Sequence, residues 1–347
     1  MPLHVLYGKV RWWLYPITVI TIYLVWTSYM TFADRWHLFT YRWPMALTMV
    51  LGSFVAGATA EGGAAVAFPV FTKLLHIPAP EARTFGLMIQ SMGMTTAALF
   101  IVTRGIRILP DVITWVSIGG VFGMFLGSYV VTIPSPYSKL LFTFVTAAFG
   151  VTLLISRWVL NWHPLQSFVV GDWQRRSLFF CIGVAGGTFA ANTGSGIDTL
   201  TFIVLTLAFG VDEKISTPTT VVIMGLNTVM GFFIHGALKQ DIGIIWEYWL
   251  VAMPVVVLGA PLGAWVASKV SRDAVILFLL SLITLELITT ILLIPFTPAT
   301  LLFTASTVTL CTIWFAVMLG YRQRYGKSLP AHDLFFSNEQ VISEPQA

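Results

Sequence analysis

The sequence predicts an all-α integral membrane protein with about eight transmembrane helices plus two re-entrant, broken-helix hairpins in an inverted repeat. Three observations carry that expectation. Of 347 residues, 57% are hydrophobic and only 10% charged, a balance outside the range of soluble globular domains. The apolar residues come in blocks of about 20, the length that crosses a hydrocarbon core of about 30 Å. Two of these blocks are interrupted by glycine and polar residues, at matching places in the two halves of the chain.

Residues 1–43 hold the first span and an outer loop. Lys9 and Arg11 precede an apolar run from Trp12 to Phe32. The run is too long for the core of a secretory signal, and only Thr31-Phe32-Ala33 stands where cleavage would fall, so it is read as retained. Residues 44–160 form a first unit. Its hairpin, 44–75, breaks at Glu61-Gly62-Gly63, resumes through Pro69 and stops at His76-Ile77-Pro78; spans near 84–103, 111–132 and 139–160 follow. A cytoplasmic linker, 161–177, carries Pro164, Asp172 and the Arg175-Arg176 pair.

Residues 178–294 form the second unit. Its hairpin, 178–209, breaks at Asn192-Thr193-Gly194-Ser195-Gly196 and stops at Gly210; spans near 217–236, 243–267 and 273–294 follow. Residues 295–320 hold a last span, near 299–320, and 321–347 read as a polar, disordered cytoplasmic tail. Each broken segment is too long for one crossing, and its second limb is too short for another. Irregular backbone at that depth is tolerated only where protein or a water-filled cavity surrounds it. Thirteen of the 19 Lys and Arg residues then fall on the side of the termini, which places both termini in the cytoplasm. The 13 tryptophans, many beside loops, suit an interfacial belt.

An offset of 133 residues lays Gly63 on Gly196 and Thr84 on Thr217. Farther along, Gly123 to Gly127 falls on Gly259 to Gly263 after a small gap. A hairpin plus three spans is an odd number of crossings, so the second unit is inverted relative to the first. The hairpin tips would then meet near the midplane, a geometry suited to alternating access. The small-xxx-small motifs read as packing seams within each half.

After each break a new helix begins, at Gly63-Ala64 and at Gly196-Ile197. Its first turn has N–H groups without intrahelical partners and the positive end of the dipole, which together hold an anion without a buried arginine. No Lys or Arg falls in the middle of a span; Lys73 and Arg83 stand near a limb's end, within snorkelling reach of the surface. The expected substrate contacts are Gly62, Gly63, Ala64, Gly194 and Gly196, where backbone can approach closely, with the polar groups of Asn192, Thr193 and Ser195. Gln90 and Asn227, on the spans after each hairpin, are the amide candidates. A plainer reading stands beside this one: the glycines and Ser195 permit tight turns that Asn192 and Thr193 cap, and the amides satisfy neighbouring helix backbones.

Three acids fall in apolar runs, where a carboxylate costs about 2.5–3.5 kcal/mol. Glu61 and Asp198, at the breaks, are candidates for proton coupling, or for capping the same N–H groups. Glu286 is expected to hydrogen-bond between helices, and His235 to lie at the interface. The net charge of +4 is scattered through loops and does not point to nucleic acid. Cys181 and Cys311 have neither metal-ligand nor disulfide spacing, so no cofactor, metal or catalytic residue is expected. The expected partners are a small anion and the lipid bilayer; the oligomeric state is not indicated. Two other functions compete: an anion channel, and an intramembrane serine hydrolase using Ser195 with His235 as base.

Over about residues 45–295 the chain resembles the sulfite exporter family TauE/SafE, the toluene-sulfonate-uptake permeases. The resemblance is carried by Gly52 to Gly57, Glu61-Gly62-Gly63, Phe68-Pro69 and Ala82-Arg83-Thr84, and again by Gly183 to Gly187, Gly194-Ser195-Gly196 and Ile215-Ser216-Thr217. Glu61 within the first glycine cluster, and Phe202 where the first copy has Pro69, depart from the pattern. The resemblance implies a secondary transporter of small sulfur-containing anions, sulfite or organosulfonate, across the inner membrane.

Overall fold

The computed structural model describes residues 3–63, 67, 70–155, 157, 165, 168 and 170–328. Ala64, Phe68 and Pro69, part of the 161–177 linker including Pro164, and the tail beyond residue 328 lie outside the described residues. The described residues contain no strand, only an isolated parallel bridge between Leu165 and Val211.

The helices are α1 (Leu3–Phe32), α2 (Leu38–Ala58), α3 (Ala79–Arg104), α4 (Pro110–Tyr129), α5 (Tyr137–Leu154) and α6 (Trp173–Thr193). They continue as α7 (Ile197–Ile203), α8 (Glu213–Phe233), α9 (Ile245–Lys269), α10 (Arg272–Leu293) and α11 (Pro298–Ser328). Local chemistry fixes many of their ends. Pro80 in the first turn starts α3 where its missing N–H has no partner to lose, and Gly105 at φ 69° closes that helix in the left-handed conformation. Asp212 caps α8 by accepting from the Lys214 N–H, and Ser271 caps α10 by accepting from the Ala274 N–H. Wider, π-helical turns extend α7 over Val204–Ala208 and α8 over Ile234–Lys239, and another stands alone at Val70–Leu74.

Among the described residues seven helices are long and apolar enough to cross a membrane: α3, α4, α5, α8 with its extension, α9, α10 and α11. They match seven of the eight expected spans. The eighth expected span falls within α1, which is not one of these seven. α2 and α6 have 21 residues each, about 31 Å at 1.5 Å per residue. The limb before each break is therefore longer than the sequence suggests, starting at Leu38 and Trp173 instead of near 44 and 178.

Helix pairing is reciprocal between the halves. α2 packs on α9 and α6 packs on α4, α9 also meets α3 as α4 meets α8, and α3 crosses α8 at the centre while α5 meets α10. Glycine makes the closest of these contacts possible. A Cβ on Gly123 would collide with the Val184 carbonyl, and one on Gly263 with the Phe54 carbonyl. Both small-residue seams thus join one half to the other, where the sequence suggested seams within each half. A motif of small residues shows that a face packs closely, but not which helix it meets.

The bundle has two ends. At the proximal end, where α1 begins, Arg104 lies over the Trp12 ring, 4.1 Å from its centroid, and both line a surface hollow with Lys269. Arg272 pairs with Glu213, and Arg322 donates to the Thr206 carbonyl, at this end too. At the distal end lie the Arg42–Glu247 pair, the α4–α5 connection and Arg83.

Candidate functional site

The two breaks meet each other. Thr199 Oγ1 donates to the Ala60 carbonyl at 2.8 Å, joining the start of α7 to the turn after α2. Gly62 and Gly194 have φ of 69° and 86°, conformations that leave room only for glycine at little cost. A Cβ on Gly62 would stand 3.1 Å from Gln90 Oε1, 3.3 Å from Asp198 Oδ2 and 3.4 Å from Ser195 Cβ. Residues from both halves therefore converge on one point, opposite the middle of α3.

The amide of Gln90 is oriented by its donation to the Gly194 carbonyl at 3.0 Å, which turns Oε1 toward Gly62. Glu61 is 2% exposed, Gln90 4%, and Asp198 and Ser195 are fully buried. Both oxygens of Glu61, Oε1 of Gln90, Oγ of Ser195 and Oδ2 of Asp198 have no hydrogen-bond partner. Buried polar atoms are almost always partnered, so a cluster of unmet ones calls for a ligand, a proton or water.

The expected site residues separate into two groups. Gly62, Gln90, Ser195 and Asp198 face the meeting point, while Gly63, Gln90, Thr193 and Gly194 line an apolar cavity with Phe71, Phe85 and Gly86. Asn192 is otherwise engaged. It accepts from the Ile133 N–H at 2.7 Å and donates to the Val131 and Thr188 carbonyls at 2.8 Å, clamping the α4–α5 connection. Thr193 donates to the Phe189 carbonyl at 2.9 Å and contacts the Ser195 carbonyl. Asp198 Oδ1 accepts from the N–H groups of Gly196 and Thr199, at 3.0 and 2.9 Å, so it caps the first turn beyond the second break. Asn227 lies apart from Gly62, beside Gly120, with both amide atoms buried and unpartnered.

Glu286 accepts from Lys139 and from Thr143 Oγ1 on α5, linking α5 to α10. His235 is 1% exposed and binds Asp241 Oδ1 through Nδ1 at 2.8 Å. It is thus held inside the protein by its own loop, and Ser195 Oγ has no base bonded to it. Among the described residues no group of three His, Cys, Asp or Glu could hold a metal ion.

Two further cavities lie at opposite ends, built from matching elements. The distal one is lined by Ala79, Pro80 and Arg83 at the start of α3, by Ile133, Ser135, Ser138 and Lys139 around the start of α5, and by Asn192, Thr193 and Ser195. The proximal one is lined by Glu213, Lys214, Thr217 and Pro218 at the start of α8, by the end of α9 and Val275 of α10, and by Gly57 just before the first break. Sequence reasoning missed Arg83 and Lys139. A signal existed for Arg83: a cation near a helix N-terminus opposes the dipole, so something other than helix stability holds it there.

A family model described as Sulfite exporter TauE/SafE matches residues 45–293. No curated protein and no solved structure matches the chain. The chain belongs to the TauE/SafE family, and is a multi-pass membrane transporter.

Proposed function

We propose that this TauE/SafE family member is a secondary transporter that moves a small sulfur-containing anion, of the sulfite or organosulfonate class, across the inner membrane. In this reading residues 44–160 and 178–294 are inverted copies of one unit, their hairpins re-entrant, with both termini cytoplasmic. Substrate binds where the breaks meet near the midplane, at the backbone around Gly62, Gly63 and Gly194, with Gln90, Ser195 and Asn227 within the same central layer. The carrying observation is the bond from Thr199 to Ala60 across the two breaks, beside buried polar atoms that have no hydrogen-bond partner among the described residues. The reciprocal pairing of α2 with α9 and of α6 with α4 supports the two-copy reading.

Proton coupling at Asp198 or Glu61 completes the proposal. Gln90 Oε1 and Asp198 Oδ2 are both acceptors turned to the same point. A proton on Asp198 would join them and remove a charge that repels an anion. Moving one charge through the membrane potential is worth about 2.3 kcal/mol per 100 mV. The test is radiolabelled sulfite uptake into proteoliposomes under an imposed pH gradient. Accumulation above the external level supports a coupled carrier, whereas flux that only equilibrates sulfite would show a channel. Asp198→Asn or Glu61→Gln is expected to abolish the response to the gradient; pH-driven accumulation intact in both variants would remove these acids from the mechanism.

A further inference from the structure

The distal cavity has the chemistry of an anion site, and its cation, Arg83, carries no role in the reading above. Four of its features point the same way. Arg83 lines it and its Nε is buried without a hydrogen-bond partner. Ser195, fully buried, lines it too, and its Oγ is equally unpartnered. The cavity sits at the start of α3, through Ala79 and Pro80, and at the start of α5, through Ser138. Both helices are long, so both present the positive ends of their dipoles, although the Tyr137 and Ser138 N–H groups of α5 are already bonded to the Pro134 carbonyl. Lys139 also lines the cavity, but its ammonium is bound by Glu286.

We propose that this cavity is the distal recognition site of the transport path, with the Arg83 guanidinium taking two oxygens of a small oxyanion and Ser195 Oγ handing it on to the central breaks. The inference rests on the carrier reading for its role in transport, and on the cavity alone for anion binding. A guanidinium presents parallel N–H donors that match a planar or tetrahedral oxyanion, a fit an ammonium lacks. Ser195 belongs to both places, since it lines the distal cavity and lies against Gly62. An anion released by Arg83 therefore has a hydroxyl to step to on its way inward. At the proximal cavity the residue in register with Arg83 is Ser216, and the cavity's buried acid, Glu213, is held by Arg272. The two openings are built alike, but the proximal lining offers an ammonium, Lys214, where the distal one offers a guanidinium.

The test measures equilibrium binding of sulfite, sulfate, ethanesulfonate and chloride to purified protein, by calorimetry and thermal shift, in the wild type, Arg83→Gln and Arg83→Lys. At least one oxyanion is expected to bind the wild type and to lose tenfold or more in affinity in Arg83→Gln. Arg83→Lys is expected to recover part of that loss, and chloride to show little dependence on the residue. An oxyanion bound equally by wild type and Arg83→Gln, or no oxyanion bound by the wild type, overturns the proposal. Matching elution profiles of the Lys and Gln variants exclude misfolding as the cause of a loss. Arg83-dependent binding with no sulfite flux in proteoliposomes would leave the site in place and sink the carrier reading instead.

Discussion

The distal and proximal cavities are assembled from corresponding pieces, yet their electrostatics differ. Each lies between the start of one helix after a break, the turn between the next two helices, and the end of the helix before the other break. At the distal end the lining includes Arg83, whose Nε is unmet, and a lysine tied to Glu286 of α10. At the proximal end the matching first turn carries Glu213, almost fully buried and held by Arg272. Each opening thus has one internal ion pair, Lys139 with Glu286 and Arg272 with Glu213, and one further cation in its lining, Arg83 or Lys214. The geometry is shared; the kind of cation, guanidinium at one end and ammonium at the other, is not.

The largest effects should come from breaking those ion pairs. Lys139→Met leaves Glu286 fully buried without its cation, a loss expected to cost about 3–5 kcal/mol. Arg272→Met at the proximal end should cost less, because Arg272 is 19% exposed and water can reach Glu213. Thermal unfolding of purified protein reads the difference. Equal costs would deny that the distal pair is the drier one, and a Lys139→Met/Glu286→Leu double variant should regain most of the loss.

A smaller and deliberately equal pair of effects is expected at the seams. Gly123→Val and Gly263→Val should each destabilise by about 1–3 kcal/mol or more, since the added carbons meet carbonyls of the opposite half. Gly171→Val is the control, with nothing within 4 Å of its added Cβ. A seam variant as stable as the control would mean that the halves do not pack as described.

Smaller still is the contrast between Asn192 and its counterpart at the same offset, Thr59. Asn192 makes three hydrogen bonds, two of them to the α4–α5 connection, and Asn192→Ala should cost about 1–3 kcal/mol by leaving buried groups unmet. Thr59 donates to the Val55 carbonyl at 3.0 Å and accepts from the Glu61 N–H at 3.4 Å, both within four residues of it, so Thr59→Ala should cost about 0.5–1.5 kcal/mol. Hydrogen exchange at Val131 to Ile133 should rise in the first variant and not in the second.

Most of the architecture was legible because a bilayer-length apolar run declares itself in sequence, and seven of the expected spans appear as such. The breaks at Glu61-Gly62-Gly63 and at Asn192 to Gly196 were legible for the same reason in reverse, since glycine and polar residues interrupt a run that needs neither. What those residues do was not. Asn192 and Thr193 look like binding groups in sequence, but Val131 and Ile133, distant in the chain, claim Asn192, and the neighbouring Phe189 and Ser195 carbonyls claim Thr193. Asp198 occupies the N–H groups an anion was expected to use. Arg83 seemed a snorkelling residue because its depth and its neighbours depend on how α6 and the α4–α5 turn fold over it.

The most direct test of the central claim is a disulfide across the two breaks. Ala60→Cys and Thr199→Cys, placed in a Cys181→Ser/Cys311→Ala background, should cross-link on mild oxidation, because Thr199 Oγ1 touches the Ala60 carbonyl. Ethanesulfonate flux in proteoliposomes, followed because sulfite itself cleaves disulfides, should fall to background in the oxidised protein and return on reduction. Full-rate flux through protein whose cross-link is verified by mass would contradict a transport path that runs through the meeting of the breaks.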